Sequence, residues 1–315
     1  MYFQRDCPAC GARASALKPE VVSEPSAEGL PFSELKRCCD NVYKEKAFVS
    51  RGPKVFFPYY RCGPCGLLFC MEFFSPVQLQ EVYRSAPDNS AGIALEILKK
   101  TQAKYFDAFK KYSALKGGYL EIGPDVGLFT EISLEKAAFD PYWMFEPNRE
   151  VWKTLEDKLR KKTRHLHPEL SELSMVPDSS MESAVMIHVL DHILEPRQAL
   201  IEIHKKLKKS GILLLVTHDE SSLLAKLLKK KWPPYTIFHP QLFNPRSLAS
   251  LLNSTRFKVL EISKSYNYFP FMHLVKHAFQ ILGLSLTGLP TGSFFPVGLK
   301  LGNILTLAAP EGNTK

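Results

Sequence analysis

The residues able to do chemistry in this chain fall into three groups. The first is a pair of knuckles, Cys7-Pro-Ala-Cys10-Gly and Cys62-Gly-Pro-Cys65-Gly. Each presents two thiolates from one tight turn, and the glycine after the second cysteine relaxes the backbone. Together they supply four sulfurs, the ligand set of a closed, tetrahedral, structural Zn²⁺ site; two reduced turns without a metal are the plainer reading. The second group is Glu121-Ile-Gly123-Pro-Asp125-Val-Gly127, with Glu146 lying 25 positions after Glu121. Glycines in such a turn let the backbone approach a ligand. An acid at the distance of Glu146 can accept two hydrogen bonds from the vicinal diol of a ribose, unless it is a surface or capping carboxylate. A carboxylate at 125 tolerates a cationic ligand and repels a phosphate. The third group is four histidines, His188, His192, His218 and His239. Imidazoles suit proton removal near neutral pH, and His192 and His239 are the candidate bases; the alternative for each is a structural hydrogen-bonding role.

These groups must be positioned by an alternating α/β chain. Leu120 to Gly123 reads as a first strand and its turn, Leu128 to Ala138 as a helix, and Tyr142 to Glu146 as a second strand. Asn148 can cap a helix over Arg149 to Lys162. His165 to His167 is a short third strand. Ala184 to Ile187, apolar throughout, is a central fourth. A helix over Arg197 to Lys209 leads to a fifth strand, Ile212 to Val216, with a sixth over Phe257 to Ser263 and a seventh over Gly302 to Ala308. The four histidines then lie on loops at strand ends, on the edge where open α/β sheets bind ligands. The expected organisation is a zinc-ribbon-like module over 1–80, a helical linker or cap over 81–116, and the sheet domain over 117–315. An apolar insert, 268–301, separates the last two strands. It carries His273, Lys276, His277 and Gln280 on one helical face. It is too interrupted to span a membrane, and reads as a lid, a dimer surface or a peripheral membrane contact.

The turn Glu121-x-Gly123-x-x-x-Gly127 resembles motif I of class I S-adenosylmethionine (SAM) methyltransferases, D/E-x-G-x-G-x-G, with Asp125 at the middle glycine. A dinucleotide fingerprint fails, since its third and sixth turn positions hold Asp125 and Leu128. His188-Val-Leu-Asp191-His192-Ile-Leu-Glu-Pro196 resembles the H-V-L-E-H-x-x-x-P stretch after strand four of many such enzymes. The run from Lys206 to Val216 resembles their L-K-P-G-G-x-L element. This resemblance covers roughly residues 90 to 310. It implies a Rossmann-like seven-stranded methyltransferase sheet with the last strand antiparallel. It also implies SAM as methyl donor, with Glu121, Gly123, Asp125, Gly127, Glu146 and His188 around it, and a small-molecule acceptor. The knuckle-bearing N-terminus is similar to that of sugar-nucleotide C-methyltransferases and related natural-product enzymes. That implies a sugar nucleotide, glycan precursor or secondary metabolite as acceptor. The alternatives are an RNA methyltransferase, and a binding or scaffold protein on this fold without catalysis.

The totals narrow the classes. The 315 residues are 45% hydrophobic and 23% charged, ordinary for a globular protein. The net charge of +9 is dispersed, so no nucleic acid is favoured as partner. The densest basic runs, Lys158 to Arg164 and Lys229 to Lys231, read as solvated helix ends. Seven cysteines in paired spacings fit metal binding in a reducing compartment better than a disulfide framework. The first residues lack the apolar core of a secretory signal, which sets the expectation of a cytoplasmic protein.

Overall fold

The structure, a computed structural model, describes residues 2–45, 54–84, 93–272, 274–275, 279 and 295–312. Its centre is a seven-stranded sheet. The strands are β1 (Lys116–Ile122), β2 (Ala138–Phe145), β3 (Arg164–His167), β4 (Met181–Ile187), β5 (Leu207–His218), β6 (Phe257–Lys264) and β7 (Asn303–Pro310). They lie in the order β6-β7-β5-β4-β1-β2-β3. Strands β1 to β5 pair in parallel, and β7 runs antiparallel to both β5 and β6. This is the Rossmann-like sheet with a reversed last strand that the sequence leads one to expect.

Both faces are buried, which is why the central strands are apolar without alternation. Tyr119, Tyr142, Met144, Val185, Leu214 and Leu305 face the helices Leu95–Phe109 and Leu128–Lys136. Leu120, Trp143, Phe145, Met186, Leu213 and Leu215 face the helices Pro196–Lys206 and Pro245–Ser254.

Several boundaries differ from the sequence reading. The first strand starts before Leu120, and Gly117 and Gly118 lie inside β1. A Cβ at Gly118 would stand 2.7 Å from the Ser180 carbonyl oxygen, so the glycine admits close packing on the chain entering β4. The helix after β4 stops at Lys206 because Leu207 already pairs with Met181 in the sheet. After β2, Asn148 does cap, its Oδ1 accepting from the Glu150 N–H at 3.0 Å. What it caps is a 3-10 turn, Arg149–Val151, followed by a short helix, Trp152–Lys158.

The N-terminal residues share their cores with the sheet domain. Strand Gln241–Leu242, from the C-terminal half, pairs antiparallel with Leu68–Cys70 and completes a four-stranded sheet with Tyr59–Arg61 and Pro19–Val21. Cys7, Cys65 and Phe69 join the core beneath Met186 and Leu213. Phe56, Phe57 and Tyr59 pack with Trp232, Tyr235 and Phe238. Arg5 spans the junction. Its guanidinium donates to Cys70 O at 2.9 Å, Leu194 O at 2.8 Å, Gln241 Oε1 at 3.0 Å and Pro240 O.

Strands Asn267–Pro270 and Pro296–Leu299 pair antiparallel at the base of the apolar insert. Residues 273, 276–278 and 280–294, on which the lid, dimer and membrane readings rest, lie outside the described residues. Among the described residues no helix is long and apolar enough to cross a membrane.

Removing the Arg5 donors leaves several acceptors unmatched, each at a cost of about 1–3 kcal/mol when buried. Arg5→Met is therefore expected to lower the unfolding free energy by roughly 3 kcal/mol in urea titrations. The small sheet and the large one should still unfold in one transition.

Candidate active site at the carboxyl edge of the sheet

The turn after β1 is built from positive-φ residues. Gly123 (φ 67°), Asp125 (52°) and Gly127 (71°) all take the left-handed region. Aspartate is among the few non-glycine residues that tolerate it, so the turn survives without its middle glycine. The Gly123 N–H donates to Phe145 O at 2.8 Å, fastening the turn to the end of β2. The space beside the Gly123 Cα is filled by protein: a Cβ there would stand 2.4 Å from Cγ2 of Val189, on the loop after β4. The close approach expected of this glycine is therefore made first by that loop.

Glu146, at the end of β2, is 6% exposed. Its Oε2 accepts from the Asp125 N–H at 2.9 Å and its Oε1 from the Asn148 N–H at 2.8 Å, leaving lone pairs on both oxygens. Burial raises its pKa to about 7, and the negative charges of Asp125 and Glu121 push in the same direction. Glu121 is also held up at about 7 by burial, against hydrogen bonds from Thr130 and Tyr119, both at 2.7 Å to its Oε2. Glu121 thus ties β1 to the helix Leu128–Lys136. Three acidic residues, Glu121, Asp125 and Glu146, lie about one turn.

All four histidines converge beyond the ends of β4 and β5. His192 and His239 face each other, Nε2 to Nε2, at 3.1 Å. The His239 ring lies 5.1 Å from that of His218, which lies 4.7 Å from His188. Burial lowers the pKa of His218 and of His239 to about 4, and holds His188 and His192 well below the ordinary value. The rings are therefore neutral, and neutrality orients the protons. His239 Nδ1–H donates to Pro234 O at 2.6 Å, so its Nε2 carries the lone pair and accepts from His192 Nε2–H. His192 Nδ1 then accepts from the Tyr83 hydroxyl at 3.1 Å. Phe238 O stands 3.1 Å from the same Nδ1. At the other end, the Asn303 amide lies between His218 Nδ1 (3.1 Å) and His188 Nε2 (3.2 Å). Asp191, fully buried, accepts the His218 N–H at 2.9 Å through Oδ2, and burial raises its pKa.

The cysteine knuckles meet on the far side of the N-terminal sheet. The ligand atoms of Cys7, Cys10, Cys62 and Cys65 all lie within 4.8 Å of one another. The Cys7–Cys65 and Cys10–Cys62 sulfurs are 3.5 Å apart. A tetrahedron of sulfurs about 2.3 Å from zinc has edges of about 3.8 Å, so the set fits the ion. The two turns have one geometry: Gly11 donates to Cys7 O and Gly66 to Cys62 O, both at 2.8 Å, with φ of 74° and 76°. Cys39 and Cys70 are buried packing residues, and Cys38 lies against the same core.

The sequence matches the methyltransferase domain family over residues 97–262, more than half of the chain. The chain belongs to the class I SAM-dependent methyltransferases. A chain from the complex between the Haloferax volcanii Trm112 methyltransferase activator and a methyltransferase superposes with a TM-score of 0.51 at 10% identity. The match covers 70% of this chain and 94% of that one. A protein from Bacillus halodurans described as a methyltransferase gives 0.47 at 14% identity, covering 68% and 100%. At these identities the likeness is one of fold. No protein of curated function matches the sequence.

Tyr83, Asn303 and Asp191, which contact the histidines, were not singled out as site residues from the sequence. Asp191 carried a signal, three residues after His188 in one loop; Tyr83 and Asn303 carried none. Trp232 and Tyr235 are 1% and 6% exposed and pack against Phe56, Tyr59 and each other. An open cleft of about 770 Å³ beside Arg61 and Glu220 contains none of the expected site residues.

The contact between Gly123 and Val189 generates a prediction. Gly123→Ala, at positive φ and against Val189, should cost about 2 kcal/mol or more of stability. Val189→Ala in the same chain should restore part of it. A double-mutant cycle by denaturant titration reads this coupling, and additive effects would reject the contact.

Proposed function

We propose that this chain transfers the methyl group of SAM to a small-molecule acceptor, with a sugar nucleotide, glycan precursor or secondary metabolite as the class. The observation that carries the donor site is Glu146, buried with one N–H on each oxygen beside a left-handed turn that also bears Asp125. A sulfonium and an ammonium fit such a pocket, and a phosphate does not. Glu146, with one N–H on each oxygen, is oriented to receive the two ribose hydroxyls, while Gly123, Asp125 and Gly127 shape the turn beneath them. SAM, when bound, supplies a methyl on a leaving group good enough that the protein's task is alignment and removal of the acceptor's proton.

His192 and His239 can take that proton. His192 Nδ1, which accepts from Tyr83 in the resting chain, becomes a donor to Phe238 O once the pair is protonated. The positive charge is then shared across the Nε2–Nε2 contact and held by two main-chain carbonyls, Phe238 O and Pro234 O. Glu146 and the histidine pair thus divide donor binding from acceptor activation. Among the basic runs, Lys158 is paired with Glu131 and Lys230 with Glu24, which favours a small acceptor over RNA.

Cys7, Cys10, Cys62 and Cys65 would hold a structural zinc, with all four positions filled by thiolate and none left for substrate. Such a site is kept in a reducing compartment, in keeping with a cytoplasmic protein.

SAM titrated calorimetrically into the protein should bind at one site per chain. Glu146 ionises at about 7 in the free protein, and its charged form is the one that accepts both hydroxyls. Affinity should therefore fall as pH is lowered from 8 to 6. Glu121 ionises in the same range, so the deciding comparison is Glu146→Gln, which should bind about tenfold more weakly and with a flatter pH profile. Absence of heat at every pH would point to a fold that has lost its donor. Separately, Cys62→Ser should release one zinc per chain and lower the melting temperature; an unchanged metal content would remove zinc from the account.

A further inference from the structure

The segment that follows β5 exposes apolar side chains that neither the core nor the proton relay uses. A helix, Leu223–Leu228, runs into a 3-10 turn, Lys229–Lys231. The Ser222 side chain caps the helix, accepting from the Ala225 N–H at 3.2 Å. Ala225 and Trp232 are buried, and Leu224 and Leu228 pack on the core that holds Phe56, Phe57 and Tyr59. Lys54 ties down the far end, its Nζ donating to Trp232 O at 2.7 Å. The inward face is thus fixed. The outward face carries Leu223 and Leu227, which are 70% and 69% exposed. A single exposed leucine is ordinary on a protein surface. Two of them one turn apart, on a helix pinned by its other side, form a ridge.

Cations flank the ridge. Lys226 follows Leu223 by three positions and so lies on the adjoining strip of the helix, and Lys229 and Lys230 continue from its end. All three line the open cleft of about 770 Å³, together with Arg61 and Tyr235. The acids of that cleft are already matched. Glu20 and Glu220 pair with Arg61 at 2.6 and 2.8 Å, and Glu24 pairs with Lys230 at 3.1 Å. Among the described residues Lys226 and Lys229 have no acidic partner, so the surplus charge beside the leucines is positive.

We infer that the helix Leu223–Leu228 and the cleft beside it form a docking surface for a bilayer that bears anionic phospholipids. Leu223 and Leu227 enter the boundary between headgroups and acyl chains. Lys226, Lys229 and Lys230 meet the phosphates from the flank, where a long lysine stem can lie along apolar surface and keep its ammonium at headgroup level. A nucleic acid would engage the cations and leave the leucines in water; an apolar protein partner would cover the leucines and leave the cations unmatched. A charged lipid surface matches both. The surface adjoins the histidine edge. Asp219, next after His218, donates its N–H to Gly302 O at 2.8 Å, and a Cβ at Gly302 would stand 2.7 Å from the Oγ of Ser222, the cap of the helix. If the proposed methyl transfer holds, docking here brings that edge to an acceptor held at the membrane, and this clause alone rests on that reading.

The test uses the full chain and co-sedimentation with two kinds of vesicle, phosphatidylcholine alone and equal parts phosphatidylcholine and phosphatidylglycerol. Binding is expected to the mixed vesicles and should fall with added salt. Leu223→Ser combined with Leu227→Ser, and separately Lys226→Gln combined with Lys229→Gln, should each weaken it by roughly tenfold. Glu24→Gln, which frees Lys230 from its partner, should strengthen it. All of these side chains are exposed, and a thermal melt of each variant checks that the fold is kept. SAM titrated into the same samples reports the donor site independently, so failure of docking is told apart from failure of methyl transfer. No binding to the mixed vesicles, or equal binding to both kinds, would overturn the surface. So would binding that the lysine substitutions weaken and the leucine substitutions leave untouched, which would mark a polyanion site instead.

Discussion

The hydrogen bond from the Asp125 N–H to Glu146 is the interaction on which the rest of the donor site depends. It joins the turn after β1 to the end of β2, and it exists only because the turn takes three residues through the left-handed region. It also keeps a carboxylate oriented in a place where burial and two neighbouring acids oppose its charge. A buried negative group of this kind is tolerated only when something compensates it, and a positively charged ligand at this edge would do so.

The N-terminal module braces the acceptor side of the same edge. Arg5, two residues before the first knuckle, holds Leu194 O and Gln241 Oε1. Gln241 in turn donates to Leu190 O at 2.8 Å and Ile193 O at 2.7 Å, clasping the loop that carries His192. Tyr83, from the helix Pro76–Arg84, reaches the His192 ring directly. The thiolate cluster thus belongs to the same N-terminal unit whose Arg5 and Tyr83 contact the post-β4 loop. The same loop inserts Val189 over Gly123, so donor turn and histidine loop are held in one packed unit.

Neutral histidines are the other consequence of that packing. Burial withdraws water from the rings and lowers their basicity. Their protons are then placed by carbonyls, an amide and a tyrosine rather than by solvent. Two main-chain carbonyls, Phe238 O and Pro234 O, lie against the Nδ1 atoms of this pair.

Much of this protein was legible in its residues alone. Apolar or alternating runs marked most strands of the main sheet, the spacing of the knuckles marked a four-sulfur cluster, and the two glycines marked the turn after β1. These are local signals, set by the conformations a few consecutive side chains permit. The start of β1 was not legible, because the glycine pair Gly117-Gly118 serves there to let two strands pack too closely for a Cβ. Only tertiary structure could give the space beside Gly123 to Val189, unite His188 with His218 through Asn303, and set Tyr83 against His192. Those contacts join residues 66 to 115 positions apart, and Arg5 meets Gln241 across 236. No local preference encodes them; they follow from how the sheet, the small module and the loops between them fill a common core.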